Sequence, residues 1–173
     1  EIKKLGYKWN ELSKYTEFDE MLGGRVKTLH PKIHAGILSD RSNKKHQDEM
    51  VKNRFKNIDL IIVNFYPFQK IVLKTKNSRN IIENIDIGGP TMVRAAAKNF
   101  KDVLIITGKK DYDALVDELR QHKGKTSLQF REYMASKAFS LTAYYDSMIA
   151  TWFNKKLNIT FPDRKTIFGK KLA

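Results

Sequence analysis

The chain has 173 residues, no cysteine, and 33 Lys and Arg against 19 Asp and Glu, for a formal net charge of +14 at pH 7. That length fits one domain able to bury a core without staples. The missing thiols exclude disulfides, thiolate zinc sites and cysteine nucleophiles, and no apolar run approaches the ~20 residues that span a bilayer.

Residues 1–5 read as the end of a helix closed by Gly6, and residues 7–12 as a short strand. Residues 18–22 form a brief helical turn ended by Gly23 and Gly24. Helical spacing returns over 31–39 and 43–55, the second with Met50, Val51 and Phe55 inward. The apolar run 59–63 has the signature of a strand covered on both faces in a parallel sheet, stopped at Pro67. Helices follow over 78–85 and 90–99. A second buried strand, 103–106, closes at Gly108, and helices occupy 111–122 and 128–154, the last rich in aromatics. Strands alternating with helices predict an α/β fold with a mostly parallel sheet. The first ten residues lack a signal-peptide pattern. Without an initiator Met, Glu1 reads as an interior residue of a longer protein.

Two stretches couple cations to a tight turn: Arg25-Val26-Lys27-Thr28 and Asp86-Ile87-Gly88-Gly89-Pro90. The glycine pair frees the backbone for close approach, Pro90 suits a first helical position, and the helix after it offers unpaired N–H groups. Arg94 and Lys98 lie four apart on that helix. Helical side chains lean toward the N-terminus, so both are expected to point back at Asp86. Asn64 and Tyr66 follow the first buried strand at its carboxyl end, where open parallel sheets bind ligands. The candidate set is therefore Arg25, Lys27, Thr28, Asn64, Tyr66, Asp86, the Gly88-Gly89 backbone, Arg94 and Lys98. His30 and His34 are four apart, but Pro31 intervenes and no carboxylate completes a metal triad, so no metal site is expected. Tyr144, Tyr145, Trp152 and Phe153 read as core or dimer surface. Nucleic acid is not the expected partner: 25 lysines outnumber 8 arginines and are scattered, whereas phosphate and guanine readers favour the Arg fork. A field of this sign draws in a phosphorylated substrate instead.

Three segments, GRVKTLHPKIHAGIL (24–38), IDLIIVNFYPF (58–68) and ENIDIGGPTMVRAAAKN (83–99), together resemble the N-terminal domain of the bifunctional purine-biosynthesis enzymes. Those enzymes join phosphoribosylaminoimidazolecarboxamide (AICAR) formyltransferase to inosine monophosphate (IMP) cyclohydrolase. The resemblance implies a methylglyoxal-synthase-like three-layer α/β sandwich over residues 1–154. Residues 155–173 would be a basic linker toward a transformylase domain. The family's opening strand-helix-strand portion, with its Ser-Thr-Gly-Gly phosphate cradle, has no counterpart, so the domain reads as N-terminally truncated.

The implied reaction closes the pyrimidine ring of 5-formamido AICAR ribotide, giving IMP and water. The resemblance assigns the chemistry to Lys27, Tyr66, Asp86 and Lys98, and substrate contacts to Arg25, Thr28, Asn64, Ile87, Gly88 and Gly89. Arg94 joins these on the face it shares with Lys98. In our assignment Asp86 accepts or orients the amide proton, Lys98 keeps it ionised, and Tyr66 relays protons. Lys27, Asn64 and the N–H groups near Gly88 stabilise the oxyanion. The cyclohydrolase needs no metal or cofactor; 10-formyltetrahydrofolate is the co-substrate of the transformylase domain. The expected partners are the purine ribotide and, for the full-length protein, a second copy in a homodimer. No membrane is involved, and the location is cytoplasmic. Alternatives are a regulatory nucleotide- or phosphate-sensing domain of the same fold, as in carbamoyl phosphate synthetase, methylglyoxal synthase itself, and a basic nucleic-acid binder.

Overall fold

The computed structural model describes residues 2–165; Glu1 and residues 166–173, the far part of the expected linker, lie outside the described residues. The helices are α1 (Leu12–Thr16), α2 (Pro31–Leu38), α3 (Lys44–Lys52), α4 (Phe68–Lys74), α5 (Ser78–Glu83), α6 (Gly88–Lys98), α7 (Tyr112–Gln121) and α8 (Leu128–Lys156). Strand β1 (Leu60–Ile62) lies between α3 and α4, and β2 (Leu104–Ile106) between α6 and α7. Short 3-10 turns stand at Ile2–Leu5, Leu22–Gly24 and Lys109–Asp111.

Local chemistry sets several helix starts. His30 caps α2 by accepting the Lys32 N–H at Nδ1, and Pro31 takes the first position, where its missing N–H costs nothing. Asn43, Asn77 and Ser127 cap α3, α5 and α8 through side-chain oxygens that accept the His46, Asn80 and Phe130 N–H groups. The Arg131 guanidinium, one turn into α8, donates to the Phe100 and Lys101 carbonyls and ties the helix start to the chain leading into β2.

The strands pair in parallel, Leu60 with Leu104, Ile61 with Ile105 and Ile62 with Ile106. Their pleat divides the core. Ile61 and Ile105 face Ile33 and Ile37 of α2 and Val93, Ala96 and Ala97 of α6. Leu104 and Ile106 face the other way, onto Leu115 of α7 and Met134 of α8. A third cluster, Phe68, Ile81 and Tyr145, joins α4, α5 and α8. The long α8 contributes to all three. The Ala95-Ala96-Ala97 run lets α6 pack closely, as its small side chains predict.

Several expectations need correction. Residues 7–11 form no strand; Tyr7 and Trp9 are exposed, no partner ladder runs beside them among the described residues, and Leu12 opens α1. The turn expected over 18–22 sits later, at Leu22–Gly24. Met21 and Val26 bridge across it, and Gly23 and Gly24 lie inside it with φ of 64° and 94°. Val51 points outward at 77% exposure, leaving Met50 as the buried contact of α3. β1 is not covered on both faces, since Ile62 is 47% exposed. Helix α4 was unforeseen: Pro67, read as a stop, also occupies the cap position that starts the next helix.

Candidate functional site

The carboxyl end of β1 runs into residues 63–67, which carry Asn64 and Tyr66, both exposed and Tyr66 60% so. The other two elements of the expected site meet in direct contact. A Cβ on Gly88 would collide with the Thr28 hydroxyl oxygen, so the 25–28 segment rests on the first turn of α6. A Cβ on Gly89 would run into the Asp86 carboxylate, whose Oδ1 accepts the Gly89 N–H at 2.9 Å. Asp86 therefore folds over the start of α6, favoured by the positive end of the helix dipole. From the other side, the Asp86 N–H donates to the Tyr145 hydroxyl at 2.8 Å.

Both cations of the 25–28 segment have acid partners. Arg25 forms a two-pronged pair with Glu83 at the end of α5, with Nε 3.0 Å from Oε1. Hydrogen bonding to Glu83, then its charge, raises the Arg25 pKa, and the Arg25 hydrogen bond lowers that of Glu83. Lys27 Nζ lies 2.9 Å from Glu20 Oε2. That hydrogen bond and charge raise the Lys27 pKa, with a smaller contribution from Tyr66, which places the phenol within electrostatic reach of the ammonium. Both pairs are open to solvent, where such contacts are weak, so a more strongly bonding anion can displace either acid. Behind Thr28, His34 is partly buried with its ring toward the Thr28 carbonyl; burial lowers its pKa, and Nε2 has no hydrogen-bond partner.

Arg94 and Lys98 do not join this cluster. Ten residues of helix separate Gly88 from Lys98, about 15 Å of rise, and the lean of a lysine stem recovers only part of it. Both cations instead line a groove of about 610 Å³ between α6 and α8, with Leu38, Phe100, Glu132 and Phe139. The Arg94 guanidinium stands 5.6 Å from the Phe139 ring centroid. Among the described residues no ion pair links Lys98 to Asp86, so the expectation that the pair aims at Asp86 is corrected. The helix start also offers less than anticipated. Gly89 N–H goes to Asp86, Thr91 N–H to the Ile87 carbonyl, and Pro90 has none. Ile87, between Asp86 and the glycines, is exposed.

Three residues at the site escaped the sequence reading: Glu20, Glu83 and Tyr145. Glu83 opens the ENIDIGGP stretch, and a surplus of cations in so small a site is a signal to look for acids. Among the described residues no three His, Asp or Glu side chains gather as a metal would need. Among those residues, too, no helix is long and apolar enough to cross a membrane.

A parallel-stranded α/β domain with a cation-rich cluster at the strand ends and a glycine-tight helix start defines a class, and the comparisons place the chain in it. The profile of the MGS-like domain matches residues 1–91, and the chain belongs to that family. The profile described as AICARFT/IMPCHase bienzyme matches residues 96–172. The bifunctional purine biosynthesis protein PurH of Bradyrhizobium diazoefficiens is 48% identical over 169 residues, covering 98% of this chain and 32% of that protein. PurH of Leptospira biflexa is 47% identical over 172 residues, covering 98% and 34%. The chain thus spans about a third of the length of these curated relatives. Among solved structures, the crystal structure of ForH superposes with a TM-score of 0.74 at 30% identity, covering 88% of this chain and 80% of that one.

Proposed function

We propose that this chain is the IMP cyclohydrolase portion of a bifunctional purine-biosynthesis enzyme. The observation that carries the reading is the direct contact of the 25–28 segment with the 86–89 turn, in a chain nearly half identical to PurH. In the reaction, the carboxamide nitrogen of 5-formamido AICAR ribotide attacks the formyl carbon of the same molecule. A C–N bond forms, the carboxamide nitrogen and the formamido nitrogen each give up one proton, and the formyl oxygen departs with those protons as water as the C=N bond of IMP forms. The barrier is one of folding the substrate, holding an oxyanion and moving protons.

Asp86 suits the nitrogen side: one carboxylate oxygen is anchored on Gly89 N–H, which fixes the group while the other can take a proton. Lys27, an ammonium at neutral pH, faces the developing oxyanion with Asn64 once released from Glu20. Tyr66, within electrostatic reach of Lys27, passes the proton between nitrogen and departing oxygen. Arg25, Thr28, Ile87, Gly88 and Gly89 contact the ribotide. Arg94 and Lys98 are kept in the proposed set on the family motif alone. The cyclohydrolase step takes no cofactor, and 10-formyltetrahydrofolate serves the transformylase part of the longer protein, a cytoplasmic homodimer. Absorbance of IMP formed from the formyl ribotide by the full-length protein tests the reading. Tight ribotide binding without turnover would instead make this a sensing module.

A further inference from the structure

Tyr145 belongs to α8, far in sequence from every residue of the site, yet it is in contact with both loops that carry the chemistry. It is 2% exposed. Its ring meets Phe65 edge-on, centroids 5.0 Å apart, and Phe68 at 6.2 Å, so it packs on the residues that flank Asn64 and Tyr66. Its hydroxyl accepts the Asp86 N–H at 2.8 Å, and Ile85, next in the chain, packs on the same cluster.

We propose that Tyr145 is a positioning residue: one side chain locks the 64–67 loop and the 86–89 turn to each other through ring packing and the bond to the Asp86 N–H. A phenylalanine would fill the same volume, so the core alone does not require the hydroxyl. What requires it is the Asp86 amide, which falls between α5 and α6 and has no backbone carbonyl partner there; an unpaired amide in such a place is costly. The bonds run in series. Tyr145 holds the Asp86 backbone, the Asp86 side chain holds Gly89, and Gly88 rests on Thr28. Release of the first link frees the carboxylate to wander by a fraction of an ångström, enough to matter for a step that depends on alignment. The proposal rests on the cyclohydrolase reading for its consequence, but not for the joint itself.

The test is Tyr145→Phe in the full-length protein, with Ile81→Val as a control that thins the same cluster without touching Asp86. Amide hydrogen exchange should quicken at least tenfold at Asp86 and Gly89 in Tyr145→Phe while the β2 amides stay protected. Cyclohydrolase kcat should fall at least tenfold with KM within threefold, and formyl transfer should be unchanged. Ile81→Val should keep kcat at an equal or greater loss of Tm. Unchanged exchange at Asp86, kcat within twofold of wild type, or an equal kcat loss in Ile81→Val overturns the proposal. A wild-type protein that makes no IMP overturns the functional reading instead, and the exchange result still decides whether the joint exists.

Discussion

Gly88 and Gly89 are glycines for want of room, since neither has a positive φ. At Gly89 the obstacle is a fixed group, the Asp86 carboxylate bonded to that residue's own N–H. At Gly88 it is the Thr28 side chain, which can be removed. Gly88→Ala should therefore destabilise the fold by about 1–3 kcal/mol, the usual cost of overpacking. Adding Thr28→Ala should recover most of that stability in denaturant titrations without restoring turnover, because a proposed substrate contact has gone. If the double variant is no more stable than Gly88→Ala alone, the contact is not what excludes the side chain. Lys98 presents the opposite case, a residue implicated by its motif and placed by the structure at the far end of α6. Lys98→Met is expected to remove most cyclohydrolase turnover in the full-length protein and leave formyl transfer intact, with Tyr66→Phe milder because water can replace a relay. Turnover within a few-fold of wild type in Lys98→Met would strike that residue from the site and leave Lys27, Tyr66 and Asp86.

The two buried strands and the helices α2, α3 and α5 to α8 were legible because each carries a strong local signal, a continuous apolar run or 3.6-residue spacing behind a Ser, Asn, Asp or Pro start. Residues 7–11 defeated the same logic, since alternation makes a strand only where a neighbouring ladder accepts it. The site was half legible. Short-range chemistry pointed to Thr28, Asp86 and the glycines, but which end of a helix a lysine serves is a question of length in space. Tyr145 and Glu83 act across 59 and 58 residues of chain, distances at which no spacing rule operates. On α2, the partly buried His34 yields a prediction with a definite sign. Burial lowers its folded pKa below the unfolded value near 6.5, so the unfolded chain binds more protons in that window. Stability should therefore be complete above about pH 6.5 and decline as the pH falls through the shifted value. Tm measured from pH 7.5 to 5 should drop in the wild type and drop less in His34→Gln; parallel slopes would show that another group sets the acid limit.

At the scale of the molecule, α8 faces two ways. Its inner side joins all three core clusters, while Leu128, Tyr133, Phe139 and Phe153 are exposed along its length, Phe139 at the α6–α8 groove. So much apolar surface on one helix suits a subunit contact, and the full-length protein is expected to sediment as a dimer; a monomer at micromolar concentration would contradict this. The sheet raises a sharper question for the 173-residue chain by itself. Among the described residues it has two parallel strands, and parallel sheets are ordinarily larger and covered on both faces. Ile62 is half open to solvent, and among the described residues β1 pairs with β2 alone, which leaves an edge able to recruit other chains. The ligand side is short of anchors as well. Arg25 is engaged with Glu83, and the α6 start has spent its Gly89 N–H on Asp86. A ribotide phosphate would have to displace Glu83 from Arg25 before it could bond there, which should weaken binding. Expressed on its own, the chain is therefore expected to be poorly soluble and nearly inactive, with solubility and IMP formation returning together in the full-length protein. A soluble 173-residue chain that closes the ring at full-length rates would mean that the phosphate anchor lies among the residues described here, and Lys98 and Arg94 in their groove would be the first place to look for it.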